Sequence, residues 1–174
     1  MPQGWAAAPK KLDPVVLQLN WLHDFQFAGY YAAEELGYYR QAGLDVKLRE
    51  GGPKTSVVQE VVAGRAQFGI GTSGLLIDRK NGSPVVALAV IFQHSPFVLI
   101  ARDFQNPAQS VHSLAGKRIM LEEQGDEIMA YLTREGLPPS RFQVQEHSFR
   151  LQDLVEGKTD AMTAYLSNEP YTLE

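Results

Sequence analysis

The sequence contains no cysteine. That absence excludes disulfides, zinc–thiolate sites, iron–sulfur clusters and cysteine nucleophiles together. No apolar run approaches the roughly 20 residues needed to cross a bilayer as a helix. Basic residues are also scarce, with 16 Lys and Arg against 20 Asp and Glu and a net charge of −4. With no basic stretch either, nucleic acid and anionic lipid are poor candidates for partners. The catalytic signatures are missing too: there is no H-E-x-x-H, G-x-S-x-G, P-loop or G-x-G-x-x-G. The four histidines, His23, His94, His112 and His147, show no ligand spacing, so no metal and no cofactor is expected. Phe68-Gly69-Ile70-Gly71 has paired glycines but lacks the third glycine and the acidic partner of a nucleotide site.

What remains is the balance of a folded protein, 44% hydrophobic and 21% charged over 174 residues. That length holds one ordinary domain or two small lobes. Val15 to Leu19 alternates like a strand. A helical stretch from about Ala28 to Leu36 follows, broken by Gly37, and a shorter one ends at Gly43. Asp45 to Arg49 is a second strand. Ser56 with Gln59 forms a capping box before a helix striped by Val57, Val58, Val61 and Val62, closed by Gly64. Phe68 to Ile70 is a short strand, and Ser73 is placed to cap a helix over Gly74 to Lys80. Val85 to Phe92, almost wholly apolar, predicts a strand buried on both faces, and Phe97 to Ala101 predicts another. The order β-α-β-α-β-α-β argues for an α/β layered fold with right-handed crossovers.

The pattern then starts again. Arg118 to Leu121 predicts a strand, Asp126 a cap for a helix to Glu135, and Phe142 to Glu146 a strand. Leu151 to Glu156 predicts a helix, Asp160 to Tyr165 a strand, and Asn168-Glu169-Pro170 the start of one more helix. Val58–Gln67 aligns with Leu151–Asp160 at an offset of 93 residues, and Gly43-Leu44 with Gly136-Leu137 at the same offset. Two copies read as two α/β lobes, since a solenoid needs about three repeats. The expected boundaries are a leader at 1–14, a first lobe at 15–102, a linker at 103–113 and a second lobe at 114–174. The second copy breaks off inside a helix, so the second lobe reads as truncated. Trp5 to Pro9 fits either the small-residue tail of a secretory signal or a plain flexible leader.

In open α/β sheets ligands bind beyond the carboxyl ends of the strands. Asn20, Trp21, His23, Gln26 and Tyr30 follow the first strand, Thr72 and Ser73 the third, and Gln93, His94 and Ser95 the long apolar run. The second copy contributes Glu122, Gln124, Gly125, Tyr165, Ser167, Asn168 and Glu169. Aromatic, amide and hydroxyl groups with few charges suit a small polar heterocycle, stacked on a ring and held by hydrogen bonds. Several of these residues serve structure equally well. Trp21 fits a lid on the sheet and Tyr30 a core position. Thr72 and Ser73 fit helix caps, His94 a structural histidine, Glu122 a loop carboxylate and Asn168 a cap.

Taken together, Leu19-Asn20-Trp21, Phe27 to Ala33, Gly37-Tyr38-Tyr39, Ala42 to Val46, Gly64 to Gly71, Ser113 to Lys117 and Asn168-Glu169-Pro170 carry a resemblance. The chain resembles the periplasmic solute-binding proteins of the thiamine-pyrimidine and alkylsulfonate group, which are themselves similar to the thiamine-pyrimidine synthase of fungi. Glu50 to Pro53 and Phe92 to Pro96 look most like a subgroup fused to histidine kinases or diguanylate cyclases. The resemblance implies a bilobed type II periplasmic-binding-protein fold outside the cytoplasmic membrane, closing on a small-molecule ligand. It implies that Trp21 and the Thr72-Ser73 turn face that ligand. It implies, as partner, a fused membrane signalling domain or, alternatively, an ABC permease. The synthase branch needs a cysteine-rich motif, which this chain cannot supply, so a binding function without catalysis is expected.

Overall fold

The computed structural model describes residues 11–102, 110–122 and 125–172. The expected leader up to residue 10, the linker residues 103–109 and Gln124 lie outside them. The chain divides into two compact units, one of residues 1–71 and 78–85, the other of residues 72–77 and 86–174.

The first unit holds a three-stranded parallel sheet in the order β2-β1-β3. β1 is Asp13–Gln18, β2 Leu44–Arg49 and β3 Phe68–Gly69. Between β1 and β2 run α1 (Ala28–Glu35) and α2 (Tyr38–Gln41). Between β2 and β3 runs α3 (Val57–Val62), where the Ser56 hydroxyl accepts from the Gln59 amide as the capping box requires. α4 (Leu75–Lys80) follows β3. Leu17, Leu19 and Phe27 form the core of this unit, with Trp21, Tyr30, Tyr31, Val46, Leu48 and Ile70 packed on it. Burying each of those large apolar side chains is worth about 1.5–3 kcal/mol.

The second unit holds a four-stranded sheet in the order β4-β7-β5-β6. β4 is Phe97–Ala101, β5 Arg118–Leu121, β6 Gln143–Glu146 and β7 Ala161–Tyr165. α5 (Asp126–Arg134) connects β5 to β6, α6 (Leu151–Val155) connects β6 to β7, and α7 (Glu169–Thr172) follows β7. Ile119, Ile128, Leu132, Leu137 and Phe142 fill one face of the sheet. Met120, Met162 and Leu154 fill a second cluster, so successive residues of β5 are buried in different clusters.

The internal repeat is real at the level of connectivity. In each unit the first strand of the motif pairs in parallel with the next two, β1 with β2 and β3, and β5 with β6 and β7. The matched glycines Gly43 and Gly136 both take positive φ, 83° and 81°. A left-handed turn of that kind ends a helix most cheaply at glycine.

Four local expectations change. The expected strand Val85 to Phe92 does not form. An unbroken apolar run becomes a buried strand only when sheet neighbours and cover exist on both faces, and the described residues supply neither. Leu88 is 73% exposed and Val90 69%. β4, expected to extend the first pattern, instead pairs antiparallel with β7, Phe97 opposite Tyr165 and Ala101 opposite Ala161. Part of the expected linker is ordered, since Val111–Leu114 forms a 3-10 turn capped by the Ser110 hydroxyl. The N-cap of α5 is Gly125, with Asp126 as the first helical residue.

Candidate functional site

Each sheet has its own carboxyl end. In the first unit, Gln18 closes β1 with its side chain buried. Its Nε2 donates to the carbonyls of Leu19 at 2.9 Å, Arg49 at 3.2 Å and Glu50 at 3.0 Å. Its Oε1 accepts from Arg49 Nε, and Arg49 also pairs with Glu60 at 2.8 Å. In the period-2 alternation of Val15 to Leu19, Gln18 is simply a polar position. Its burial comes from the neighbouring end of β2, which sequence spacing does not disclose.

The loop beyond Gln18 carries Asn20, which is buried, and Trp21, which is half-buried against the Leu17–Leu19–Phe27 core. Gly51 locks that loop: its amide donates to Trp21 O at 2.8 Å. A Cβ there would lie 2.9 Å from the carbonyl carbon of Asn20. Gln26 and Tyr30 are half-buried, and burial raises the Tyr30 phenol above its ordinary range. His23 is engaged elsewhere. Its Nδ1 meets the Tyr31 hydroxyl and its Nε2 lies 3.5 Å from Glu50, with the imidazole half-exposed.

In the second unit the carboxyl ends of β5, β6 and β7 bring together Glu122, His147, Thr163 and Glu169. The Glu122 amide donates to Thr163 Oγ1 at 3.2 Å, and that hydroxyl donates to Glu122 Oε1 at 3.4 Å. Burial first, then the charge of Glu169, push the Glu122 carboxyl up to about 7, with the Thr163 hydroxyl opposing. His147 is buried between two partners that fix its tautomer. Nδ1 accepts from the Phe149 amide at 3.0 Å, so Nε2–H donates to Thr163 O at 2.9 Å. Burial lowers its basicity and favours the neutral ring. Gly125 lets the chain turn tightly here, since a Cβ would come 3.0 Å from Glu122 O.

The remaining expected positions make the following contacts. Tyr165 stacks edge-to-face on Phe97 with centroids 4.5 Å apart and packs against the main core. Its backbone amide donates to Glu169 Oε2 at 2.8 Å. Asn168 sits in the turn leading into α7, where its carbonyl accepts from Tyr171. Thr72, and not Ser73, supplies the side-chain acceptor at the start of the α4 turn, taking the Gly74 amide at 3.3 Å. Ser73 instead donates to Glu127 at 2.7 Å, and Ser95 meets the same carboxylate. Gln93 and His94 stand exposed beyond the unpaired apolar run, and Gln93 Nε2 donates back to Val90 O at 3.0 Å.

His147 and Thr163 join this cluster without being expected from the sequence. The signal for His147 was its place as the first residue past a parallel strand, at Glu146-His147. Thr163 gave none, because it lies inside its strand. Among the described residues no group of three His, Asp or Glu side chains is arranged to hold a metal ion. Nor is any helix among them long and apolar enough to cross a membrane.

A riboflavin-binding protein, RibY of Chloroflexus aurantiacus, is 27% identical over 175 residues, which cover 95% of this chain and 49% of RibY. The periplasmic aliphatic sulphonate binding protein SsuA of Escherichia coli superposes with a TM-score of 0.59 at 14% identity, over 93% of this chain and 52% of SsuA. A protein of Bordetella bronchiseptica RB50 superposes with a TM-score of 0.67 at 18% identity, over 88% of this chain and 51% of its own. The chain thus spans about half the length of these relatives. The likeness to the solved structures shows the α/β fold of type II periplasmic binding proteins. A family profile described as NMT1/THI5 like matches residues 24–174, and the chain belongs to that family.

Proposed function

We propose that the chain is the ligand-binding portion of an extracytoplasmic solute-binding protein that captures a small nitrogen heterocycle without converting it. One arrangement carries this reading: at the carboxyl end of β5 the half-buried Glu122 carboxyl accepts from the Thr163 hydroxyl of β7 at 3.4 Å and feels the charge of Glu169. With Glu122 raised to about 7 by its burial and by Glu169, the two carboxyl groups share roughly one proton near neutral pH, so they can accept hydrogen bonds from ring or exocyclic N–H groups and would release that proton in favour of a protonated nitrogen. The charge that Glu169 adds, joined by that of Glu122 once it ionises, disfavours a sulfonate, so the ligand named for SsuA fits this end poorly. The pyrimidine of thiamine precursors and the uracil-like edge of riboflavin both present N–H groups; the pyrimidine, which protonates, suits the pair better. Asn20, Trp21, Gln26 and Tyr30 are proposed contacts within the first unit.

Delivery to an ABC permease is the favoured destination, in keeping with the binding proteins this chain resembles. Signalling to a fused kinase or cyclase rested on Glu50 to Pro53 and Phe92 to Pro96. The first of these segments has a packing explanation, because Gly51 must pass under the Asn20-Trp21 backbone. The second is exposed and carries no site geometry. A synthase activity would need the cysteine-rich motif, and the chain has no cysteine.

Isothermal titration with an aminopyrimidine, riboflavin and ethanesulfonate tests the proposal. The expected result is saturable binding of the aminopyrimidine or riboflavin, weakened at least about tenfold by Glu122→Ala, the loss of roughly one charge-assisted hydrogen bond. Tighter binding of the sulfonate would overturn it, as would turnover of any of the three.

A further inference from the structure

Phe149 takes φ 56°, in the left-handed region, and is the single non-glycine residue with positive φ among the described residues. The Cβ of a bulky side chain crowds the backbone there, so glycine is the ordinary occupant. Gly43 and Gly136 follow that rule, and Phe149 breaks it. Burial does not explain the choice, since 39% of Phe149 stands exposed. A strained backbone persists where its surroundings over-determine it, and such residues collect at binding and catalytic sites.

The surroundings are built around His147. The Phe149 amide donates to His147 Nδ1 at 3.0 Å, and the two rings lie together with centroids 4.5 Å apart and planes 52° apart. Next in the chain, Ser148 Oγ donates to Met120 Sδ at 3.6 Å and accepts from the Arg150 amide at 3.3 Å. The imidazole of His147 holds the Thr163 carbonyl at 2.9 Å, and the Thr163 hydroxyl reaches Glu122. An exposed ring two positions past His147 is thus tied, through His147 and Thr163, to the carboxyl group of the proposed site. All of these residues belong to the second unit.

A planar heterocycle is held by a flat apolar face as well as by hydrogen bonds at its edge. Tyr165 is the one aromatic residue among the contacts expected from the second copy, and its ring packs on Phe97 instead. The polar edge is present at Glu122 and Thr163; the face is wanting unless Phe149 supplies it. We infer that Phe149 is a specificity-determining residue of this site, its ring being the face on which a planar heterocycle stacks while Glu122 and Thr163 meet the edge of the same ligand. The inference rests on the binding function proposed above and adds to it a contact of a different chemical kind.

Isothermal titration of the 174-residue chain with the aminopyrimidine and riboflavin, beside thermal melts of each variant, tests it. Phe149→Leu keeps an apolar side chain but loses the ring, and Phe149→Gly suits the left-handed backbone. Each is expected to weaken binding by about tenfold or more, as the loss of one stacked base does. Phe149→Tyr keeps the ring and is expected to bind within about threefold of wild type. The Tm of Phe149→Gly is expected within about 4 °C of wild type, because relief of the backbone offsets the lost ring contact. If Phe149→Leu does not fold, Phe149→Gly decides. Wild-type affinity in Phe149→Gly would overturn the inference and leave the proposed binding function standing. A loss in Phe149→Tyr as large as that in Phe149→Leu would do the same, since the ring would then have no part. So would a Tm lower by about 10 °C or more in Phe149→Gly, which would make the ring a piece of the core. A wild-type chain that binds neither probe would overturn both.

Discussion

The imidazole of His147 donates from Nε2 to the carbonyl oxygen of Thr163 at 2.9 Å, while the hydroxyl of that same threonine is engaged with Glu122. One β7 residue therefore holds the ends of β5 and β6 at once. A histidine and a carboxyl group, both kept towards their neutral forms by burial, meet on it. Replacing His147 by Ala strands the Thr163 carbonyl and is expected to cost about 2 kcal/mol. Denaturant unfolding reads this cost. Nitrogen NMR should show the wild-type ring as the Nε2–H tautomer, taking up its second proton only at a lower pH than an exposed histidine; the Nδ1–H tautomer would contradict the assignment.

Glu122 makes stability fall as pH rises. Its folded pKa, about 7, is above the ordinary 4.5, so the folded state holds a proton that the unfolded state has released. The cost of ionising it grows between those values and is complete above about 7. Glu122→Gln removes that cost. The variant is expected to be more stable than wild type by about 2 kcal/mol at pH 8 and nearly equal at pH 4. Equal stability of the two proteins at pH 8 would show that Glu122 ionises freely.

Asp160 behaves oppositely, at the amino ends of β5 and β7. Arg118 grips it with two bonds, Nη2 to Oδ1 at 2.9 Å and Nε to Oδ2 at 3.0 Å, and holds its carboxyl down to about 2. The stabilisation is present above the ordinary 3.8 and disappears as pH falls through about 2. Asp160→Asn is expected to lower Tm by about 2–4 °C at pH 7, with the gap to wild type closing towards pH 2. A gap that does not change with pH would assign the loss to packing instead.

Gly51 and Gly52 are neighbours with different duties. A methyl group on Gly51 runs into the Leu19–Trp21 backbone, while one on Gly52 meets nothing within 4 Å. Gly51→Ala is expected to destabilise by about 1–3 kcal/mol and to shift Trp21 fluorescence, with Gly52→Ala near neutral on both readouts. Similar behaviour of the two variants would mean that the loop is free to move away.

Much of this molecule is local and therefore legible in the chain. The period-2 run at Val15, the Ser56–Gln59 cap and the glycines that end helices each act over a few residues, and each appears in its expected place. The repeat offset of 93 residues points to two like α/β units, and the shared β2-β1-β3 and β6-β5-β7 orders agree with it, because a repeated element sequence with parallel crossovers has few ways to pair. Three other outcomes depended on what lies across space. Residues 86–92 have the composition of a buried strand, yet burial requires neighbours that no local pattern supplies. Tyr165 turned into the core because Phe97 arrived opposite it from a strand sixty-odd positions away in sequence, a pairing fixed by the sheet. Thr163 and His147 became a site only when three strand ends converged, since side-chain spacing along the chain carries no record of distance between strands.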